Sequence, residues 1–101
     1  MTVNIRALME KAYSQNDIRE RPIIRAPIRV VGEEGEVFTT PDYYFQDSKL
    51  MLYIGVEEAS DTIRLLKEQG ITILSFPKPR STEDSLHVVE ATMSALEGEA
   101  S

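Results

Sequence analysis

The segment over residues 49–76 constrains the fold more than any other part of the sequence. Residues 49–54 form a continuous apolar run, which is typical of a central strand buried on both faces. A helical pattern over residues 60–69 ends at Gly70, and residues 71–76 form a second, β-branched run. A strand, a helix and a strand at this spacing predict a βαβ unit with parallel strands and a right-handed crossover.

The rest of the sequence predicts one helix and a hairpin before this unit and one helix after it. The whole order is α-β-β-β-α-β-α, so we expect a single α/β domain with a mixed sheet flanked by helices. The added elements are a helix over 5–13 capped by Thr2 or Asn4, a hairpin over 28–40 that turns at 32–35, and a last helix that begins at Ser81 or Thr82 and frays over 97–101. Ser60 or Asp61 is expected to open the helix over 60–69.

Composition excludes several chemistries. The chain of 101 residues contains no cysteine, so disulfides, thiolate zinc sites and cysteine nucleophiles are absent. The first residues lack an apolar signal core, and the longest strongly apolar run, 50–54, is too short to span a bilayer. We therefore expect a cytoplasmic protein that makes no membrane contact.

The charge is unevenly distributed along the chain. The net charge is −6, but residues 1–31 carry six Lys/Arg and three Asp/Glu, whereas residues 32–101 carry five and fourteen. Four arginines, Arg19, Arg21, Arg25 and Arg29, could therefore form a local basic face that binds nucleic acid or a partner. The alternative is that these arginines only protect an edge strand from aggregation.

Three sequence motifs, in this order of elements, resemble those of the PD-(D/E)XK nuclease superfamily. They are Pro41-Asp42-Tyr43-Tyr44-Phe45, Leu50-Met51-Leu52-Tyr53-Ile54-Gly55 and Gly70-Ile71-Thr72-Ile73-Leu74-Ser75-Phe76. Within that superfamily, the chain most resembles the short members that are similar to very-short-patch-repair proteins. The resemblance covers roughly residues 37–96 and implies a restriction-endonuclease-like topology. It also implies a Mg²⁺-dependent nuclease site, with two carboxylates on neighbouring strands and a lysine near the attacking water.

The sequence departs from that family at two of the three positions. Asp42 matches the first carboxylate, but Tyr53 stands where the second carboxylate belongs and Gly55 stands where the lysine belongs. Residues 49–55 contain no acid at all. We therefore expect no catalytic residue, no metal ligand and no cofactor, and the leading interpretation is a non-catalytic accessory or assembly module.

A rearranged nuclease site is the alternative interpretation. Glu57 or Glu58 could replace the missing carboxylate after a shift of position, and Lys49 could supply the cation. A Mg²⁺-dependent DNA or RNA endonuclease would then use Asp42 and Glu57 as metal ligands. Acidic residues that precede a helix more often only complement its dipole.

Three successive aromatic residues suggest a surface for protein contacts. Tyr43, Tyr44 and Phe45 cannot all point to one side of a strand, so one or two belong to the core and an outward tyrosine could contact a partner. We expect a homodimer or another protein partner, with contacts in the 37–45 region next to the hairpin edge. His87, the single histidine, is expected to be a surface residue of the last helix.

Overall fold

The computed structural model of the chain describes residues 4–33 and 35–100, and this part contains three helices and six strands. In chain order the elements are α1 (Ile5–Gln15), β1 (Ile23–Ile24), β2 (Ile28–Gly32), β3 (Gly35–Thr39), β4 (Tyr43–Phe45), β5 (Leu50–Ile54), α2 (Ser60–Glu68), β6 (Thr72–Phe76) and α3 (Thr82–Ala100). None of the described helices is long and apolar enough to cross a membrane.

Four strands form one mixed sheet in the order β1-β4-β5-β6. β5 and β6 are adjacent and parallel, with Leu50 opposite Thr72 and Ile54 opposite Phe76. β4 pairs with β5 in the antiparallel sense, and β1 pairs with β4 in the same sense. The predicted βαβ unit is therefore confirmed, with α2 connecting and contacting its strands.

The hairpin forms a sheet of its own. β2 and β3 pair with each other and with no strand of the four-stranded sheet. The predicted order lacks β1 and β4, which are two and three residues long and too short to leave a periodic pattern. A turn connects β4 to β5. At the end of this turn Lys49 adopts a left-handed φ of 52°, and its N–H donates to the Gln46 carbonyl.

The central strand β5 supplies side chains to cores on both faces of the sheet. Leu50 and Leu52 join the larger core, against α1 and α3, whereas Met51 and Tyr53 join the smaller one, beneath α2 and the hairpin. The larger core also contains Met9, Tyr13, Tyr43, Phe45, Val88, Val89, Met93 and Leu96, and the smaller one Val30, Leu66 and Ile71. The prediction that this strand is buried on both faces is confirmed.

The helix ends agree with the sequence signals in part. The Asn4 side chain caps α1 by accepting from the Arg6 N–H at 3.0 Å, and Thr2 lies outside the described residues. α2 begins at Ser60, but Ala59 precedes it and provides no side-chain cap. Ser81 Oγ accepts from the Asp84 N–H at 3.1 Å at the start of α3. α3 extends to Ala100 and Ser101 lies outside the described residues, so the expected fraying over 97–101 stays a prediction.

The loop after α1 is fixed to the turn between β4 and β5 by a single carboxylate. Glu20 accepts hydrogen bonds from the Asp47 N–H at 2.6 Å, the Ser48 N–H at 3.2 Å and the Ser48 hydroxyl at 2.7 Å. Hydrogen bonds to a charged acceptor are stronger than neutral ones. Glu20 therefore connects segments that lie 27 residues apart in the sequence.

We predict that Glu20→Ala lowers the free energy of unfolding by about 2 kcal/mol, because the backbone donors of the turn lose a charged acceptor. Glu20→Gln should lose less, since one side-chain oxygen remains. Urea unfolding followed by circular dichroism measures both values. Glu33→Ala, at an exposed position of the hairpin turn, is the control and should change the free energy little. Equal effects of Glu20→Ala and Glu33→Ala would contradict the assigned role.

Candidate functional site

Asp42 lies where the hairpin leaves the sheet, beside the carboxyl end of β5. Its Oδ2 accepts a hydrogen bond from the Ile54 N–H at 2.7 Å, and its Oδ1 lies 3.6 Å from Arg25 Nε. Its own N–H donates to the Leu52 carbonyl at 2.9 Å. Both carboxylate oxygens are therefore engaged within the protein.

The bond from Ile54 to Asp42 continues the β4–β5 ladder beyond the end of β4. The antiparallel register places residue 41 opposite Ile54, but the chain turns away at Pro41 and leaves the Ile54 N–H without a backbone acceptor from β4. A buried N–H without an acceptor costs free energy comparable to a lost hydrogen bond. The side chain of Asp42 supplies the acceptor, which gives this residue a structural role.

Tyr53 lies on the same end of β5 and is part of a buried polar chain. Its hydroxyl contacts Thr39 Oγ1 at 2.5 Å, and Thr39 Oγ1 donates to Glu58 Oε2 at 2.9 Å. Because the threonine proton goes to the carboxylate, the tyrosine proton is the one shared with Thr39. The chain runs from β5 through β3 to the segment before α2, so it connects the hairpin to the main sheet.

The environment of Tyr53 keeps its hydroxyl protonated. Burial is the main cause that raises the pKa of Tyr53, and the carboxylates of Glu58 and Asp42 raise it further. A neutral phenol is neither an anionic metal ligand nor a base at neutral pH. At this position of β5 the protein therefore has a hydrogen-bond donor in a core.

The three residues of the alternative nuclease site do not meet at one point. Lys49 precedes β5, whereas Asp42 and Glu57 lie at its carboxyl end, so Lys49 is separated from them by roughly 16 Å of strand. Lys49 and Glu57 are both exposed. Within residues 4–33 and 35–100, no three His, Cys, Asp or Glu side chains are grouped so that they could hold a metal ion.

Three of the four arginines of the predicted basic face make contacts within the chain. Arg21 lies over the Tyr13 ring, with its guanidinium carbon 4.6 Å from the centroid. Arg29 pairs with Glu36 across the hairpin, and its Nε lies 2.6 Å from Oε2. Arg25 lies beside Asp42, but its side chain is 77% exposed, and Arg19 is exposed in the loop after α1. Binding of nucleic acid or a partner by these four residues stays a prediction.

The aromatic residues of β4 alternate as expected. Tyr43 and Phe45 are buried in the larger core, whereas Tyr44 is half-buried on the other face, beside the smaller core. Of the two tyrosines proposed for partner contacts, Tyr44 is therefore the more accessible. His87 is exposed and lies edge-on to Phe76, with ring centroids 5.9 Å apart.

Sequence reasoning missed the roles of Thr39 and Glu20. Thr39 is a buried polar residue at the end of β3, and its partners lie 14 and 19 residues further along the chain. Such pairings depend on where the hairpin docks on the sheet, and no local motif reports them. Glu58 was weighed as a replacement ligand, and its position beside Thr39 and Tyr53 gives it a partner in the protein itself.

Comparison of the chain with protein-family models, curated proteins and solved structures gives no match. The resemblance to PD-(D/E)XK nucleases therefore stays a prediction from the sequence.

We predict that Asp42→Ala destabilises the protein by about 2 kcal/mol, because the Ile54 N–H loses its acceptor. Asp42→Asn keeps an acceptor oxygen and loses only the charge opposite the exposed Arg25, so its cost should stay below about 1 kcal/mol. Denaturant unfolding of both variants and of Arg25→Ala measures these values. Equal losses for Asp42→Asn and Asp42→Ala would show that the charge, and not the hydrogen bond, stabilises this end of the sheet.

The four tyrosines should ionise together with unfolding. Burial is the main cause that raises the pKa of Tyr13, Tyr43, Tyr44 and Tyr53 above the ordinary value of 10.0. A raised folded-state pKa gives stability that is complete below the unfolded pKa and is lost as pH rises through the folded pKa. In an alkaline titration above pH 10.0, tyrosinate absorbance should therefore rise in the same step in which circular dichroism reports unfolding. Full ionisation of a folded protein would contradict this prediction.

Proposed function

We propose that this protein is a non-catalytic accessory or assembly module that uses a nuclease-like α/β fold for protein–protein contacts, as a homodimer or with another protein partner. The observation that carries the proposal is the buried hydroxyl of Tyr53 at the position of the second nuclease carboxylate, held in a chain with Thr39 and Glu58. A side chain committed to a core hydrogen-bond chain stabilises the hairpin against the sheet. It offers no ligand to a hard cation.

The restriction-endonuclease-like topology is part of this proposal. An antiparallel β4–β5 pair followed by a helix and a parallel β6 supports it, as do helices on both faces of the sheet. Asp42 in this fold occupies the position of the first carboxylate but bonds the Ile54 N–H. The proposal therefore gives Asp42 a use that needs no second carboxylate: it completes a strand ladder.

A metal-dependent nuclease is the second candidate, and one observation favours it. Asp42 bonds the Ile54 N–H and Glu58 bonds Thr39 beside the Tyr53 hydroxyl, so two carboxylates flank the carboxyl end of β5. Glu58, which bonds Thr39, would then take the role assigned to Glu57 in the sequence interpretation. Mg²⁺ held there would lower the pKa of a bound water and stabilise charge on a phosphate.

We predict no cleavage of plasmid or single-stranded and double-stranded oligonucleotides in Mg²⁺ or Mn²⁺ above the level seen with chelator. Cleavage products resolved on a gel provide the measurement. Cleavage that is reduced by Glu58→Gln, Glu57→Gln or Lys49→Gln would overturn the non-catalytic proposal and identify the ligands of the second candidate. Glu57 and Lys49 are exposed, so these two variants should remain folded and report on activity alone.

A further inference from the structure

β6 is an open edge of the main sheet. It pairs with β5 on one side, and the part of the chain that the structure describes places no strand on its other side. The Thr72 N–H donates to the Lys49 carbonyl, and the Phe76 carbonyl accepts from the Gly55 N–H, so the even-numbered residues turn their backbone groups toward β5. Since successive residues of a strand alternate, Ile73 and Ser75 turn their N–H and carbonyl groups to the open edge.

This edge strand is longer than β1 and carries no protective residue along its own length, although Pro77 and Lys78 follow it directly. β1 is two residues long and is bounded by Pro22 and Arg25, and the hairpin carries the Arg29–Glu36 pair. Residues 71–76 contain neither a charged residue nor a proline. An uncharged edge strand of this length is a template for pairing with another strand.

We propose that β6 is the contact strand of a homodimer, in which a second copy of the chain pairs with it antiparallel about a twofold axis at Leu74. This inference names the partner and the surface of the assembly module proposed above, and it rests on that proposed function. The twofold places Ile73 of one copy opposite Ser75 of the other. A directly opposed, hydrogen-bonded antiparallel pair exchanges both N–H···O bonds, and the axis repeats the exchange.

The strand is self-complementary in length, charge and side chains. Leu74 is the middle residue of Thr72–Phe76, so the two paired strands overlap over their full length. Because the strand is uncharged, pairing of two copies places no like charges opposite each other. Phe76 would lie across from the β-branched Thr72 of the other copy, a favourable cross-strand combination. Leu74 and Phe76 are only partly buried against the larger core, so pairing would cover apolar surface that α3 leaves open.

The flank of α3 that borders β6 has small side chains where the second copy would approach. Helical spacing places Ala91 and Ala95 on the same side as His87, which touches Phe76, whereas Leu86 and Met93 line the groove toward α1. Beyond His87, Glu83 and Asp84, which lie beside Phe76, the two alanines leave this flank of α3 open to a second copy beneath the joined strands. The joined β6 strands would make one continuous sheet across the dimer.

Ser75→Pro tests this arrangement without disturbing the chain's own sheet. Proline removes the N–H that faces the open edge and adds a ring there, while the bonds from β6 to β5 use other residues. Ser75→Ala keeps the N–H and is the matched control. Light scattering at low micromolar concentration should give twice the 11.4 kDa chain mass for the wild type and for Ser75→Ala. Ser75→Pro should weaken association by about tenfold or more and keep the circular dichroism of the folded chain.

A monomeric wild type, or a Ser75→Pro variant that dimerises as tightly as the wild type, would overturn the β6 dimer. Loss of the dimer on Phe38→Ser with none on Ser75→Pro would overturn it too, and would move the interface to the hairpin, where Phe38 is 64% exposed. Should Ser75→Pro fail to fold, Ser75→Lys is the second variant. It keeps the backbone N–H, places a charge on the edge strand, and should weaken the dimer in the same way. The cleavage assay is independent: a monomer that cuts no nucleic acid overturns this inference but not the non-catalytic proposal.

Discussion

The burial of β5 on both faces is the constraint on which the rest of the structure depends. Its side chains alternate between two cores, so each face of the sheet needs its own cover. The helices α1 and α3 cover one face, and α2 with the hairpin covers the other. A chain of 101 residues has little material for two cores. This shortage explains why the hairpin, which pairs with no strand of the sheet, packs on its face through Val30.

The carboxyl end of β5 is a corner in which polar side chains have structural roles. Pro41 turns the chain away from the sheet, Asp42 closes the ladder, and Tyr53 reaches through Thr39 to Glu58. Asp42 satisfies the Ile54 N–H, and Thr39 and Glu58 pair the hydroxyls between the hairpin and the sheet, so these polar atoms do not remain unpaired. Among the described residues that are not exposed, no side-chain nitrogen or oxygen is buried without a hydrogen bond. The polar groups of this corner thus specify where the hairpin sits.

The sequence predicts those parts of the fold that leave a local signal. The βαβ unit follows from an apolar run, a helical period and Gly70, and the alternation of Tyr43, Tyr44 and Phe45 between the two faces follows from strand geometry. The docking of the hairpin leaves no such signal, because it depends on contacts between residues far apart in the chain. Asp42 is found by its motif, but its role is fixed by the Ile54 N–H across the strand ladder. A side chain's chemistry is readable from sequence, whereas its partner depends on the fold.

The edge of the sheet at β6 differs from the polar corner at the end of β5, because its outer backbone groups have no described partner strand. The edge strand β1 has only two residues and lies between Pro22 and Arg25, so it offers few backbone donors. On β6, Ile73 and Ser75 face an edge at which no described strand pairs with them. β6 is the last strand of the described sheet, and within residues 4–33 and 35–100 no other strand pairs with its outer side. Hydrogen-bonding capacity that the chain cannot use within itself is available for association. The open backbone groups of β6 are therefore the feature of this topology that supports the proposed assembly role.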